Sequence, residues 1–161
     1  MTAFKDHFSK VAQGYSTYRP TYPKALFDAL TQLAENHECA WDVGCGNGQA
    51  SVILADYFDH VVATDASANQ IEAATQHPKI DFITAPAEKA PLEDDSVDFI
   101  LIAQALHWFD FDAFFAEVRR VGKKGGVIAA IAYEIFNCTP EIDNVIAEFY
   151  EGDIGPYWPP E

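Results

Sequence analysis

Apolar positions change period repeatedly along this chain. Leu26, Phe27, Leu30 and Leu33 recur at helical spacing behind Pro23, a residue suited to a first helical turn, and the pattern fades at Asn36-His37. Residues 39–43 form a short apolar run stopped by glycines, the profile of a buried strand. From 49 to about 58, Val52, Ile53, Leu54 and Tyr57 predict a helix packed on that strand, and residues 61–64 a second strand. Ser67 and Gln70 have capping-box spacing for a helix through about Gln76, followed by a third strand at 80–83. Residues 97–103 are almost wholly apolar, as expected of a strand covered on both faces at the centre of a parallel sheet. Asp110 is placed to cap a helix carrying Phe114, Phe115 and Val118, which ends near Gly122 before a fifth strand at 126–131. A last helix, 140–150, carries Ile142, Val145, Ile146 and Phe149 on one face, the usual sign of a core contact, with a lid or a dimer contact as the alternatives. Alternation of this kind predicts a doubly wound, Rossmann-like α/β fold with a mostly parallel sheet, and a ligand beyond the carboxyl ends of its strands.

The chain has 161 residues, which suits a single domain: an N-terminal helical segment (1–36), a ligand-binding core (37–133) and a helical, Pro-rich end (134–161). Ten Lys plus Arg against 25 Asp plus Glu give a formal charge of −15, which repels phosphate backbones and acidic membranes; nucleic acid is excluded as a partner. No stretch approaches the roughly 18 apolar residues needed to span a bilayer, and the segment after Met1 has no signal-like apolar run. Cys39, Cys45 and Cys138 are an odd set without metal spacing, so reduced thiols, no metal and a cytoplasmic location are expected. Glu93-Asp94-Asp95 reads as a solvated loop.

The most informative residues are Asp42-Val43-Gly44-Cys45-Gly46-Asn47-Gly48, directly after the first predicted strand and before the first core helix. Glycines there permit positive φ and close approach of a ligand to the backbone, and free N–H groups at the following helix start favour polar ligand atoms. Asp65 lies 21 residues beyond Gly44, at the end of the second strand, where a carboxylate accepts ribose hydroxyls. A dinucleotide fingerprint requires its third glycine at position 49, which is Gln49; here it is Gly48.

With Asp42 preceding Gly44, Gly46 and Gly48, the chain resembles a class I S-adenosylmethionine-dependent methyltransferase over roughly residues 4–133. The resemblance implies S-adenosyl-L-methionine as cofactor, Asp65 on its ribose, and Ala66 against the adenine. It also implies a backbone N–H near Ala87, in the segment 85–92, at the adenine edge. Pro86 stands where family members often carry an acid for the adenine amino group and supplies neither side chain nor N–H. After the fourth strand, residues 103–109 correspond to the floor of the active site, with Gln104 near the cofactor and His107 and Trp108 lining the acceptor. The base-modifying Asn/Asp-Pro-Pro-aromatic segment is absent there. The His-Trp-Phe form instead is similar to small-molecule methyltransferases of the trans-aconitate methyltransferase-like, type 11 group. An N-terminal segment including Tyr15 and Arg19 shares that likeness, with Tyr15 on the substrate and Arg19 on the methionine carboxylate; a surface role for either residue stays open.

The function so implied is methyl transfer to a small-molecule acceptor, a carboxylate among the candidates. His107 is the candidate acid-base residue, with a purely lining role as its alternative. A nucleotide-binding oxidoreductase and a non-catalytic cofactor-binding module are the competing classes. The resemblance also implies a sixth and a seventh strand beside the fifth, and no convincing strand pair follows Tyr133. Strand five is therefore expected at an open edge, a surface for homo-oligomer pairing.

Overall fold

The structure, a computed structural model, describes residues 21–133 and 137–157. Five parallel strands, β1 (Cys39–Val43), β2 (His60–Asp65), β3 (Ile80–Thr84), β4 (Val97–Ala103) and β5 (Gly122–Ile131), lie in the order β3-β2-β1-β4-β5. Five α-helices accompany them among the described residues: α1 (Lys24–Thr31), α2 (Gln49–Leu54), α3 (Ala68–Glu72), α4 (Phe111–Val121) and α5 (Pro140–Ala147). The chain steps outward from β1 to β3, then returns across the sheet to β4. The order thus reverses between β1 and β4, the point at which open α/β sheets bind ligands beyond the carboxyl ends of their strands.

A parallel sheet needs cover on both faces, and the residues sort accordingly. Phe27, Leu54, Phe58, Phe99 and Leu101 belong to one buried cluster; Trp41, Val43, Ile100, Ile102, Phe114 and Val121 form the other. All seven residues of β4 are buried. Even Asp98 is accommodated, because its Oδ2 accepts the N–H groups of Glu38 (3.0 Å) and Cys39 (2.9 Å) while Lys123 Nζ lies 3.0 Å from Oδ1. The polar end of buried Trp41 is satisfied likewise, its Nε1 donating to Thr64 Oγ1 at 2.9 Å.

Several predicted elements are shorter than their apolar patterns. Pro23 is the residue before α1, in extended geometry, and the helix closes at Thr31, leaving Leu33 63% exposed. α2 ends at Leu54 and α3 at Glu72, well short of Gln76. Ser67 precedes α3 without a side-chain capping bond, because the Gln70 N–H that a capping box would engage is bonded to the Ser67 carbonyl (3.1 Å). β5, conversely, begins four residues early: Val97 pairs with Gly122 but Phe99 with Val127, so 123–126 bulge out of the ladder through Gly125 at φ +83°. Asp110 caps α4 as expected, its Oδ1 accepting from Ala113 N (3.2 Å).

α5 does not join the core. Val145 (66% exposed) and Phe149 (56%) face outward, and a π-helical turn, Glu148–Asp153, follows. No sixth or seventh strand follows β5 among the described residues, and β5 is an edge of the sheet. No helix of the described residues is long and apolar enough to cross a membrane.

Candidate functional site

The turn between β1 and α2 is built by three glycines, each at positive φ: Gly44 (+68°), Gly46 (+56°) and Gly48 (+86°). Crowding adds to the conformational demand at two of them. A Cβ on Gly44 would sit 2.6 Å from Ala105 Cβ, and one on Gly48 2.6 Å from the Phe82 ring. At Gly46 a Cβ would meet only Gln70 Oε1, at an ordinary contact distance of 3.9 Å, so there the demand is conformational and not steric. The Gly44 and Cys45 N–H groups both donate to Thr64 O (2.8 and 3.0 Å), tying the turn to the end of β2.

Asp65 completes this cradle. Its Oδ2 accepts the Gly46 N–H at 2.8 Å and its Oδ1 the Ser67 N–H at 2.8 Å. Each carboxylate oxygen has a further lone-pair direction, so the group stays able to accept hydroxyls while its orientation is fixed from both sides. Two backbone donors thus hold the carboxylate at the mouth of the glycine turn.

Asp42 lies beneath. It is 1% exposed; Ser51 Oγ donates to its Oδ2 at 2.6 Å, and its Oδ1 has no partner among the described residues. Burial pushes its carboxyl up to about 7; the Ser51 bond opposes this and the negative charge of Asp65 adds to it. A buried acceptor with an open lone pair is costly to leave bare, which marks this atom for a donor or cationic group of a ligand. The buried Cys45 thiol is pushed up for the same reason, chiefly by desolvation, and is unsuited to nucleophilic work.

The remaining predicted residues line the carboxyl ends of neighbouring strands. Ala66 is exposed directly after Asp65, and Ala87 is buried in the segment after β3, which begins with Ala85 N donating to Asp65 O at 3.0 Å. Gln104 directly follows β4 in left-handed geometry (φ +58°), its Nε2 donating to Tyr133 O at 3.1 Å. A non-glycine residue held there stores strain and turns 105–109 back over Gly44. His107 and Trp108 follow, both exposed, their rings 4.7 Å apart in a 3₁₀ turn (Leu106–Trp108). Tyr15 and Arg19 lie outside the described residues. No group of three or more His, Cys, Asp or Glu capable of holding a metal occurs among the described residues, and all three cysteines are free.

Sequence reasoning missed several participants. Ser51 is the partner of Asp42 and Phe82 the wall behind Gly48. Neither carries a local signal, because each meets the site only when strands align. The Glu117 and Arg120 pair on α4 was missed as well; its (i, i+3) spacing is the only signal the sequence offers for it. A groove of about 270 Å³ lies apart from this constellation, against α4 and β5, lined by Ile100, Val118 and Ile128 among others.

The methyltransferase domain family matches residues 41–130 of this chain. A Dictyostelium discoideum protein with a provisional methyltransferase name is 35% identical, the match covering 99% of this chain and 62% of that protein. A solved structure from Anaeromyxobacter dehalogenans, provisionally a type II methyltransferase, superimposes with TM-score 0.80 at 46% identity over 89% of this chain and 61% of that one. The geranyl diphosphate C-methyltransferase of Streptomyces coelicolor A3(2), solved with Mg2+, geranyl diphosphate and S-adenosyl-L-homocysteine, shares the fold at TM-score 0.59 and 19% identity, over 66% of this chain and 44% of that one. The chain therefore spans about six-tenths of the length of the first two relatives. With a family match that takes in the glycine turn, Asp65 and most of the five-stranded sheet, the chain belongs to the class I methyltransferase domain family.

Proposed function

We propose that this chain binds S-adenosyl-L-methionine and transfers its methyl group to a small-molecule acceptor. The observation that carries the reading is the cradle itself: three positive-φ glycines that no Cβ-bearing residue replaces without strain, closed by a carboxylate already fixed toward the turn. The unpartnered Asp42 Oδ1 is a second sign of fit, since an amino acid arm offers an ammonium donor to such an atom. Asp65 would hold the ribose, Ala66 and the Ala87 backbone the adenine, and Gly44, Gly46 and Gly48 the approach to the amino acid arm. Gln104 would flank it from β4, and Arg19 would pair with its carboxylate.

When bound, the cofactor supplies a methyl group activated by its sulfonium. The chain's own task is then placement: the residues above fix the donor side, and Tyr15, His107 and Trp108 orient the acceptor. Positioning of this kind can supply on the order of 7–11 kcal/mol of barrier reduction at best. A carboxylate acceptor is ionised at neutral pH and asks no proton transfer of the protein; an amine or carbon acid would give its proton to His107. A non-catalytic cofactor-binding module is the second reading. The three free cysteines support a cytoplasmic setting, the open β5 edge supports pairing with a second copy, and the strongly negative charge disfavours nucleic acid as substrate.

Titration calorimetry with S-adenosyl-L-homocysteine tests the binding claim, and methyl-labelled donor with a panel of small carboxylic acids, amines and carbon acids tests turnover. Absence of binding overturns the proposal; binding without product in any acceptor class leaves the module reading in its place.

A further inference from the structure

Helix α4 grips the segment after β3 at three levels. At its start the Asp110 N–H donates to Glu88 Oε1 (3.0 Å); midway the Ala90 N–H donates to Glu117 Oε1 (2.7 Å). Near its end Arg120 donates from Nη1 to Leu92 O (2.7 Å), from Nη2 to Ala90 O (3.2 Å), and from Nη1 to Asp94 Oδ1 (2.7 Å). Glu117 and Arg120 are themselves joined in a fork, Nε to Oε2 at 2.8 Å and Nη2 to Oε1 at 2.7 Å. Glu117 is 7% exposed, and Arg120 first, then the Ala90 N–H, hold its carboxyl below the usual range despite the cost of burial.

An ion pair serving only its own helix would sit in solvent and contribute little. This one is half-buried, with the Arg120 side chain 34% and Glu117 8% exposed, and its bonds end on the backbone of a segment 27 to 30 residues earlier in the chain. The donor and acceptor of Ala90 are both taken, three residues past Ala87. The Ala87 N–H itself makes no hydrogen bond with the described residues.

We infer that Glu117 and Arg120 are positioning residues for the base of the cofactor: by clamping the backbone at Ala90 and Leu92 they fix where the Ala87 N–H points and so make the site selective for adenine. The inference rests on the proposed reading that places adenine at Ala87. Its chemistry is specific, because Pro86 offers no side-chain acceptor for the exocyclic amino group. Discrimination then falls to one backbone donor. Adenine presents a ring-nitrogen acceptor to that N–H, whereas hypoxanthine carries a hydrogen on the same nitrogen, and two donors would face each other. If the clamp is cut, the segment populates several conformations, and affinity for the adenine ligand falls by the fraction still competent.

The test uses the full chain, with S-adenosyl-L-homocysteine and its inosine counterpart, S-inosyl-L-homocysteine, as calorimetric probes. Wild type should prefer the adenine ligand. Glu117→Gln and Arg120→Lys should each weaken that ligand about tenfold while leaving the inosine ligand within about twofold, so that the preference collapses. Asp94→Ala removes only the solvent-exposed arm of the clamp and should change neither value. Thermal melts identify an unfolded variant, and Arg120→Lys, which keeps the charge, carries the test if Glu117→Gln does not fold. Equal weakening of both ligands, or no weakening, overturns the clamp's role in selectivity while wild-type binding keeps the functional reading intact. Failure of wild type to bind the adenine ligand overturns both.

Discussion

Replacing Asp42 by Asn should change the pH dependence of stability more than stability at any single pH. Asp42 is buried against Ser51 with one oxygen unpartnered, and its carboxyl is pushed from the ordinary 3.8 up to about 7. Between these values the folded chain keeps a proton that the unfolded chain has lost. The contribution to stability is therefore full below about pH 4 and is lost as pH rises through 7. At about 1.4 kcal/mol for each pH unit between the two values, the span amounts to at most about 4 kcal/mol. The amide of Asp42→Asn cannot titrate, so groups not coupled to Asp42 cancel in the difference between the two proteins, leaving Asp42 itself and its smaller coupling to Asp65. Urea denaturation at half-unit steps from pH 4.5 to 8 should show the variant gaining on wild type steadily through pH 7, then levelling. Parallel curves over the whole range would refute the argument. The same site predicts a proton released when a ligand ammonium meets the open oxygen, seen as a binding enthalpy near pH 6.5 that varies with the ionisation enthalpy of the buffer.

Gly48→Ala places a Cβ at φ +86° and 2.6 Å from Phe82, at a cost of about 1–3 kcal/mol from strain alone. Melting should show the loss, and Phe82→Leu added to it should recover only the steric part. Asp65→Asn keeps one carbonyl acceptor but puts an amide NH2 against either the Gly46 or the Ser67 N–H; homocysteine-ligand affinity should fall at least tenfold, and an unchanged value would place the ribose elsewhere. His107→Gln should leave kcat within about threefold for a carboxylate acceptor and shift mainly KM; a loss of about a hundredfold or more in kcat would assign acid-base work to the imidazole.

What could be read from residues alone was set by where each contact closes. The β1 turn is local: strand, glycines and helix start are contiguous, so Asp42 to Gly48 declared themselves, and Asp65 followed from a fixed distance along a βαβ unit. Element ends were less legible, since they depend on which backbone group wins a bond. Ser67 and Gln70 have the right spacing for a capping box, yet the Ser67 carbonyl takes the Gln70 N–H. Least visible were contacts across the sheet. Glu117 and Arg120 announce a surface pair, and only the placement of the segment after β3 beneath α4 turns that pair inward onto Ala90 and Leu92. The same reasoning explains why α5 misled: a helical apolar stripe states that a face wants cover but not what covers it, and here Val145 and Phe149 face outward. Short-range motifs therefore locate the glycine turn and the carboxylate that the first βαβ unit brings together. The proposed selectivity for the base rests on side chains up to 30 positions away, whose contacts close only once the strands are in order.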